Sequence, residues 1–538
     1  MKLVTTEEMR QAEQAAVEAG ATWEGLMDRA GRAVADQVLA RLGKSGGAED
    51  RRVLALVGPG NNGGDALVAG RYLVEAGLSV QAYLWNRPAD QSDPLIEVAA
   101  GGGVRMILAE EDKDLRVLQQ QLKQVDVVID GLLGMGLLRP IEGRLRDIVE
   151  QVNKVEGPLV VAVDLPSGVQ ADTGQVLGVA IQAGVTVTMG QPKRGLCQFP
   201  GAGCAGEVVV AEIGIPESLL DQVQVELLDD RMARAALPGR PRDAHKGTFG
   251  RVLVVAGSLQ YPGAPYLAAM AAYRVGAGLV TLAPPRSLYP ILAARAVEAT
   301  FLPLPDGDVG AIGEEAVQEI VEALPRYQAL VLGCGLGQEE VTVTFVRRLL
   351  RTEEKVRLAI GFLPQGKEKE KGEWELPGLV LDADALNALA GVPEWWKQLP
   401  AGRVVLTPHP GEMARLLGAS QEEVLASPIA VAQRAATTWG HVVVFKGANS
   451  VIGHPDGRVV LNPGANPALA TAGTGDVLAG AIGGFLAQGV APFEAALLGV
   501  RVHSGAGECL SADAGEAGGI ASDLLACLPR VIRGIRGK

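Results

Sequence analysis

Short apolar runs alternate along this chain with longer stretches whose apolar residues recur every three or four positions, and glycine punctuates the changes. Arg52 to Val57 (RVLALV) is apolar and bounded by glycine, which predicts a buried parallel strand. A helical pattern from Ala66 to about Ala76 and a second strand, SVQAYLW, complete a βαβ unit with a glycine-rich crossover turn. Upstream, Thr5-x-x-Glu8 is a capping box, and Met9, Ala12, Ala16 and Val17 keep helical spacing behind it. A second helix is predicted through Leu26 to Gly31. The same grammar recurs in VDVVID (125–130), VVAVD (160–164), GRVLVVAGS (250–258), ALVLGCGLGQ (329–338), LVLDADALNAL (379–389) and RVVLTPHPGEMARLLG (403–418). A hairpin turning at Pro455-Asp456-Gly457 follows HVVVFKGANS. The last strong signal is a glycine-rich turn, Gly473-Thr474-Gly475-Asp476, running into an apolar helix from Val477 to about Leu486. Strands alternating with helices predict an α/β fold with parallel sheets.

At 538 residues the chain exceeds one hydrophobic core, so two domains are expected, with room for a third. GEVVVAEIGIP (206–216) closes the first, and the polar, proline- and arginine-containing run from Glu217 to Lys246 supplies a boundary, dividing the chain into 1–220 and 221–538. Seventy glycines and only 4% aromatic residues suit many tight strand-to-helix turns. A net charge of −13 argues against general binding to nucleic acid or anionic membranes. Five cysteines without CxxC spacing read as reduced thiols of a cytoplasmic protein. The start MKLVTTEEMRQAEQ reads as an amphipathic helix rather than a signal peptide, and no apolar run is long enough to span a membrane. The charged run GKEKEKGEWE (366–375) reads as a solvated insertion.

Ligands of doubly wound sheets sit outside the carboxyl ends of the strands, and the chemistry-bearing residues collect there. In the first half, Asn61, Asn62 and Asp65 follow Gly58-Pro59-Gly60, which is not the dinucleotide GxGxxG pattern. Asp130 ends a second strand, before Gly131, Gly134 and Gly136, and Asp164 and Ser167 end a third. Any one aspartate would more often be a loop cap. Three at strand ends favour a shared site, and their mutual repulsion calls for a cation or a raised pKa. In the second half, Asp382, Asp384, His409 and Lys446 end strands on the ligand edge. A helix start at Gly473–Asp476 leaves backbone N–H groups unpaired and can hold a phosphoryl group, with Asp476 as a base toward a substrate hydroxyl. The bland alternative makes Asp476 a simple cap.

GPGNNGGD, IDGLLGMGL and VDLPSG, with LMDRAG upstream, resemble NAD(P)H-hydrate epimerase, the N-terminal domain of the bifunctional NAD(P)H-hydrate repair enzymes. The resemblance spans roughly Met1 to Pro216. It implies a Rossmann-like αβα domain that interconverts the R and S epimers of NADHX and NADPHX at the hydrated C6 of the nicotinamide ring. It also implies K⁺ held by Asn62, Asp130 and Ser167. Substrate would be lined by Asn61, Asn62, Gly63, Gly64 and Asp65, by the loop of Gly134, Met135, Gly136, Leu137, Leu138, Arg139 and Pro140, and by Asp164, the expected acid/base group. Ala66 stands where the family usually has glycine, and Asp28-Arg29 where Glu-Asn is common.

PGAPYLAA, GCGLG, LDADALN, TPHPGE, FKGANS and TAGTGDVLAG resemble the ribokinase-like ADP/ATP-dependent NAD(P)H-hydrate dehydratases, over roughly Leu227 to Lys538. That resemblance implies contacts to the hydrated nicotinamide from Ala264, Gly335, Gly337, His409 and Asp476. The nucleotide would be held by Lys446, Gly447, Ala448, Asn449, Ser450 and Gly475. Asp476 would be the catalytic base, with ADP and Mg²⁺ as cosubstrate and cofactor, and ADP giving AMP and phosphate. A homo-oligomer is also implied. Cys334 replaces a usual proline, a change expected to loosen its loop. Two rivals share these features: a ribokinase-like vitamin or sugar kinase, and a chain whose N-terminal domain only binds a partner.

Overall fold

The computed structural model describes residues 1–43, 51–87, 93–307, 310–352 and 374–537. It divides into two units, Met1–Glu226 and Leu227–Lys538. Of the charged run 366–375, only Trp374 and Glu375 fall within the described residues. Among the described residues no helix is long and apolar enough to cross a membrane.

The first unit is built on seven strands: β1 (Arg52–Val57), β2 (Ser79–Leu84), β3 (Arg105–Leu108), β4 (Val127–Gly131), β5 (Leu159–Val163), β6 (Val185–Met189) and β7 (Glu207–Ala211). Their order is β3-β2-β1-β4-β5-β6-β7, with every pairing parallel. Alternation along β1 explains why its sequence is apolar throughout. Val53, Ala55 and Val57 enter one hydrophobic cluster, and Leu54 and Leu56 enter another on the opposite face. The chain leaves β1 toward β2 on one side, while β4 lies on the other. The β1/β4 boundary is therefore a topological switch point, where the loops above the two strands part.

The second unit carries a ten-stranded sheet. Its strands are β8 (Val225–Leu227), where the chain enters, β9 (Arg251–Val255), β10 (Leu279–Ala283), β11 (Thr300–Phe301), β12 (Ala329–Leu332), β13 (Gly378–Leu381), β14 (Val404–Leu406), β15 (Val442–Phe445), β16 (Val451–Gly453) and β17 (Val459–Leu461). The order is β11-β10-β9-β12-β13-β14-β15-β16-β17-β8. Pairings from β11 through β15 are parallel, and the β15-β16-β17 meander is antiparallel. The helix Thr474–Ala487 is buried from Val477 to its end. Its approach to the helix Ala264–Arg274 requires glycine, because a Cβ at Gly480 would lie 2.1 Å from the Ala268 carbonyl oxygen.

Two helices begin earlier than the sequence pattern predicts. The first glycine-rich segment is not a free turn up to Ala66: the helix starts at Asn61 and runs to Glu75, with extended Gly60 as its cap residue and no side-chain cap. Gly63 serves close packing there, since a Cβ would meet the Gly58 carbonyl oxygen at 2.1 Å. The second helix starts at Thr474, three residues before Val477. Asn61–Gly63 and Thr474–Asp476 thus sit in first helical turns, whose N–H groups have no partner within the helix, and Asp65 follows in the next turn.

Candidate active sites

The site of the first unit lies above the β1/β4 switch point, in a cleft of about 530 Å³. Glu13, Trp23, Met27, Asn61, Asn62, Asp65, Leu95, Met135, Asp164 and Met189 line it. Asp164, in the residue after β5, adopts a left-handed backbone with φ 66°. Aspartate tolerates that region better than most residues. Its Oδ1 accepts from Met189 N at 3.0 Å and Thr188 Oγ1 at 3.2 Å, and pairs with the Lys193 ammonium. Lys193 is fully buried, and its Nζ also donates to Met189 O at 2.9 Å. Asp65 has no such lysine. Burial first, then the charges of Asp164 and Glu13, hold its carboxyl well above the usual range. Burial also raises Glu13, with Lys193 working against the shift.

Beneath this cleft Asp130, at the end of β4, is completely buried. Its Oδ1 accepts from Ser167 Oγ at 2.6 Å and its Oδ2 from Ser167 N at 2.8 Å. Asn62 reaches the same loops, donating to Val163 O at 2.6 Å and Leu133 O at 3.3 Å. Burial lifts the Asp130 carboxyl to about 6 despite the hydrogen bonds from Ser167 and Leu132. None of the ion pairs among the described residues gives Asp130 a basic partner.

In the second unit, the carboxyl ends of β12, β13, β14 and β15 converge with the start of the Thr474–Ala487 helix. Asp382, after β13, is 2% exposed; its Oδ1 accepts from Lys446 Nζ at 2.6 Å and Thr407 Oγ1 at 2.7 Å. Burial opposes the charge on Lys446, but the carboxylates of Asp382 and Glu412 hold its pKa above the usual lysine value. Asp476 lies in the first turn of a helix whose cap residue, Gly473 at φ 90°, offers no side chain, so the simple-cap reading fails. Burial and the nearby Asp382 charge push its pKa up to about 7, against a hydrogen bond from Cys334 and the charge of Lys446. A carboxyl poised there exchanges protons at neutral pH. The thiol of Cys334 donates to Asp382 Oδ2 at 3.7 Å. Cys334 is completely buried and its carbonyl accepts from Gly257 N, so the loop expected to loosen is tied down.

His409 caps the helix Pro410–Leu417: Gly411 N donates to its Nδ1 at 3.0 Å, while its Nε2 lies 3.1 Å from Glu412 Oε1. Ala264 opens the helix Ala264–Arg274 beside Gly335, whose missing Cβ would lie 3.0 Å from the Ala264 methyl. Gly337 N donates to Asp384 Oδ2. Gly475 borders Lys446, while Gly447 and Ala448 are exposed.

The structure thus brings Asn61, Asn62, Asp65, Met135 and Asp164 to one cleft, and Gly63 and Gly64 into the buried first turns of its helix. Gly134 packs on the Asn62 side chain. Leu137 packs into the hydrophobic cluster behind the cleft, whereas Gly136, Leu138, Arg139 and Pro140 are exposed and outside its lining. Sequence reasoning missed Lys193, Glu13, Glu412 and His503. Glu13 had a signal: it shares the spacing of Met9, Ala12 and Ala16, a charge on the apolar face of its helix. Lys193 follows the end of β6 in MGQPKRG, the same strand-end signal that marked the aspartates. Glu412 completes a capping box with His409. His503 is half-buried and its pKa is pushed down to about 4 by desolvation, so its neutral ring donates to Thr474 O at 2.9 Å.

These features define a two-domain α/β enzyme with a Rossmann-like and a ribokinase-like half. Residues 252–530 match the family model described as NAD(P)H-hydrate dehydratase, and residues 24–195 that of the YjeF-related protein N-terminus. The bifunctional NAD(P)H-hydrate repair enzyme Nnr of Moorella thermoacetica is 38% identical over 515 residues, covering 95% of this chain and 92% of its own. That of Thermofilum pendens is 38% identical over 543 residues, covering 100% and 97%. Among solved structures, the ADP/ATP-dependent NAD(P)H-hydrate dehydratase from Bacillus subtilis, co-crystallized with ATP/Mg²⁺, is 30% identical. It aligns with 58% of this chain and 99% of its own at a TM-score of 0.46. The chain belongs to the family of bifunctional NAD(P)H-hydrate repair enzymes.

Proposed function

We propose that the second unit dehydrates the S epimer of NADHX and NADPHX with conversion of ADP to AMP and phosphate, and that the first unit interconverts the R and S epimers. The observation that carries the reading is Asp476: a carboxyl with a pKa of about 7 in the first turn of a helix that has no side-chain cap. The hydrated carbon bears a hydroxyl, and hydroxide is a poor leaving group. Asp476 takes the hydroxyl proton as that oxygen attacks the terminal phosphorus of ADP, forming a phosphate ester and releasing AMP. The N–H groups of Gly475 and its neighbours hold the transferring phosphoryl group. Phosphate then leaves, pushed by the ring nitrogen lone pair, and loss of the adjacent proton restores NAD(P)H.

The exposed backbone of Gly447 and Ala448, with Lys446, Asn449, Ser450 and Gly475, leaves room for a nucleotide beside Asp476. Mg²⁺ bound with the nucleotide would offset its phosphate charge. Ala264, Gly335, Gly337 and His409 hold the nicotinamide.

In the first unit the two carboxyls divide the work. Protonated Asp65 gives its proton to the departing hydroxyl, and the Asp164 carboxylate, positioned by Lys193, faces the cationic ring that results. Water then returns from the opposite face of the ring and the proton goes back to Asp65. The buried, lysine-free Asp130 carboxylate, the Ser167 hydroxyl and the Asn62 amide form a hard-oxygen set suited to K⁺. K⁺ held there would supply the positive charge that Asp130 lacks, beside the loops carrying Met135 and Asp164.

The test is NADH recovery, read in the near ultraviolet, from a mixture of NADHX epimers with ADP, ATP or no nucleotide. Full ADP-dependent recovery by the wild type is expected. Asp476→Asn should lose it, and Asp164→Asn should leave a slow second phase as only the S epimer is consumed promptly. Nucleotide consumption without NADH would replace this reading with a kinase that makes a stable phosphate ester.

A further inference from the structure

We propose that Cys334, Asp382 and Asp476 form a binding site for a thiophilic divalent cation of the Zn²⁺ class, and that filling it silences the second unit. One ligand atom from each residue lies within 4.8 Å of the other two. Zinc–thiolate bonds of about 2.3 Å and zinc–carboxylate bonds of about 2.0–2.2 Å span such a triangle after a small movement of the Asp476 side chain.

The residues around the triangle already orient two of its three corners. Asp382 spends Oδ1 on Lys446 Nζ at 2.6 Å and Thr407 Oγ1 at 2.7 Å, which turns Oδ2 toward the thiol at 3.7 Å. Cys334 is fully buried, and its carbonyl is held by Gly257 N. Asp476 is the partly exposed corner, so it gives an ion its route in and leaves a fourth position for water.

Charge supports the same conclusion. A thiolate and two carboxylates carry three negative charges; a divalent ion and the Lys446 ammonium carry three positive ones. The ion thus offsets most of the negative charge gathered there, with the Glu412 carboxylate also 3.9 Å from Lys446. The donor set also discriminates. Mg²⁺ demands hard oxygens in an octahedron and has little affinity for sulfur, whereas one thiolate and two carboxylates suit zinc or cadmium. Binding breaks the S–H bond of Cys334: the thiol sulfur keeps the electron pair and donates it to the metal, and its proton leaves to solvent together with any proton on Asp476. No oxidation is involved. The inhibitory consequence rests on Asp476 being the base of the dehydratase reaction, because coordination to a dication lowers the basicity of its carboxylate and ties it to the metal.

Cd²⁺ added to the full-length protein is the direct probe, read by sulfur-to-metal charge-transfer absorption in the ultraviolet and by proton release in weak buffer. One Cd²⁺ per chain should bind with release of one to two protons. The band should vanish in Cys334→Ala and persist in Cys509→Ala and Cys527→Ala. Asp476→Asn, which keeps the thiol, should bind at least tenfold more weakly. Zn²⁺ should inhibit ADP-dependent NADH recovery, reversibly by chelation, with an inhibition constant at least tenfold weaker in Cys334→Ala. A band unchanged in Cys334→Ala, or no band in the wild type, overturns the site. If the wild type recovers no NADH but shows the Cys334-dependent band, the dehydratase reading has failed and the metal site stands.

Discussion

Replacing Asp476 with asparagine should stabilise the second unit in alkaline solution while removing its chemistry. Burial and the charge of Asp382 raise the Asp476 pKa to about 7, against about 3.9 in an unfolded chain. The folded state therefore binds a proton that the unfolded state releases between those values. Stability falls as pH rises from about 4 to about 7, and the penalty is complete above that. Three pH units correspond to a ceiling of about 4 kcal/mol at 1.36 kcal/mol per unit. Water at the open side of Asp476 screens part of this, so about 2 kcal/mol is expected at pH 8.5, a rise of roughly 4 °C in melting temperature. Asparagine keeps the shape of a neutral aspartic acid, so toward pH 4 the two proteins should melt together. The assay is calorimetry of the full chain at both pH values, following the transition that ADP shifts. In parallel, wild-type kcat/KM should rise with unit slope up to about pH 7, and the variant should lose roughly 10²- to 10⁴-fold. A variant less stable than wild type at pH 8.5, or a difference that ignores pH, would refute the assignment of a strained base.

Lys193→Met strips the only lysine from a buried pair in which the two side chains are 0% and 4% exposed. It should cost the first unit ~3–5 kcal/mol in calorimetry and slow epimerisation. Asp130→Asn removes the charge that would hold K⁺. Exchanging KCl for choline chloride should lower the first-unit melting temperature of the wild type and leave the variant unmoved. Gly480→Ala forces a Cβ to within 2.1 Å of the Ala268 carbonyl oxygen and should cost roughly 1–3 kcal/mol in denaturant titration. Gly136→Ala, where a Cβ meets nothing within 4 Å, should stay within about 0.5 kcal/mol of wild type.

The sheets were legible because a strand buried on both faces needs an unbroken apolar run, and β1 coincides with RVLALV. Aspartates at strand ends were legible for the same reason: an apolar run that stops at a charge beside glycine marks the sheet's ligand edge. Helix starts were harder. Glycine signals a turn and also permits close packing. At Gly63 and Gly480 the second use prevails, drawing Asn61 into a helix the pattern began at Ala66. Long-range pairings left the least trace. Nothing local in MGQPKRG says that Lys193 will be sealed against Asp164, 29 residues earlier. Glu13 stands on an apolar helix face, a visible anomaly whose meaning depends on where Asp65 ends up.

A single arrangement recurs in the two units and accounts for how each tunes its carboxyls. In each, one aspartate at a strand end is paired with a buried or nearly buried lysine: Asp164 with Lys193, and Asp382 with Lys446. A second aspartate, near the start of a helix, lacks a lysine and absorbs the cost of burial beside the first: Asp65 in the second turn of one helix, Asp476 in the first turn of the other. The lysine neutralises its own partner, while the negative charge it does not cancel, together with burial, lifts the neighbour toward neutral pH. Separating two like groups by environment rather than by residue type is how one site supplies a proton carrier and a fixed charge together. It follows that the lysines govern protonation at a distance. Removing either should move the pH profile of the aspartate it does not touch, raising the pKa of Asp65 or Asp476 further as the compensating charge disappears.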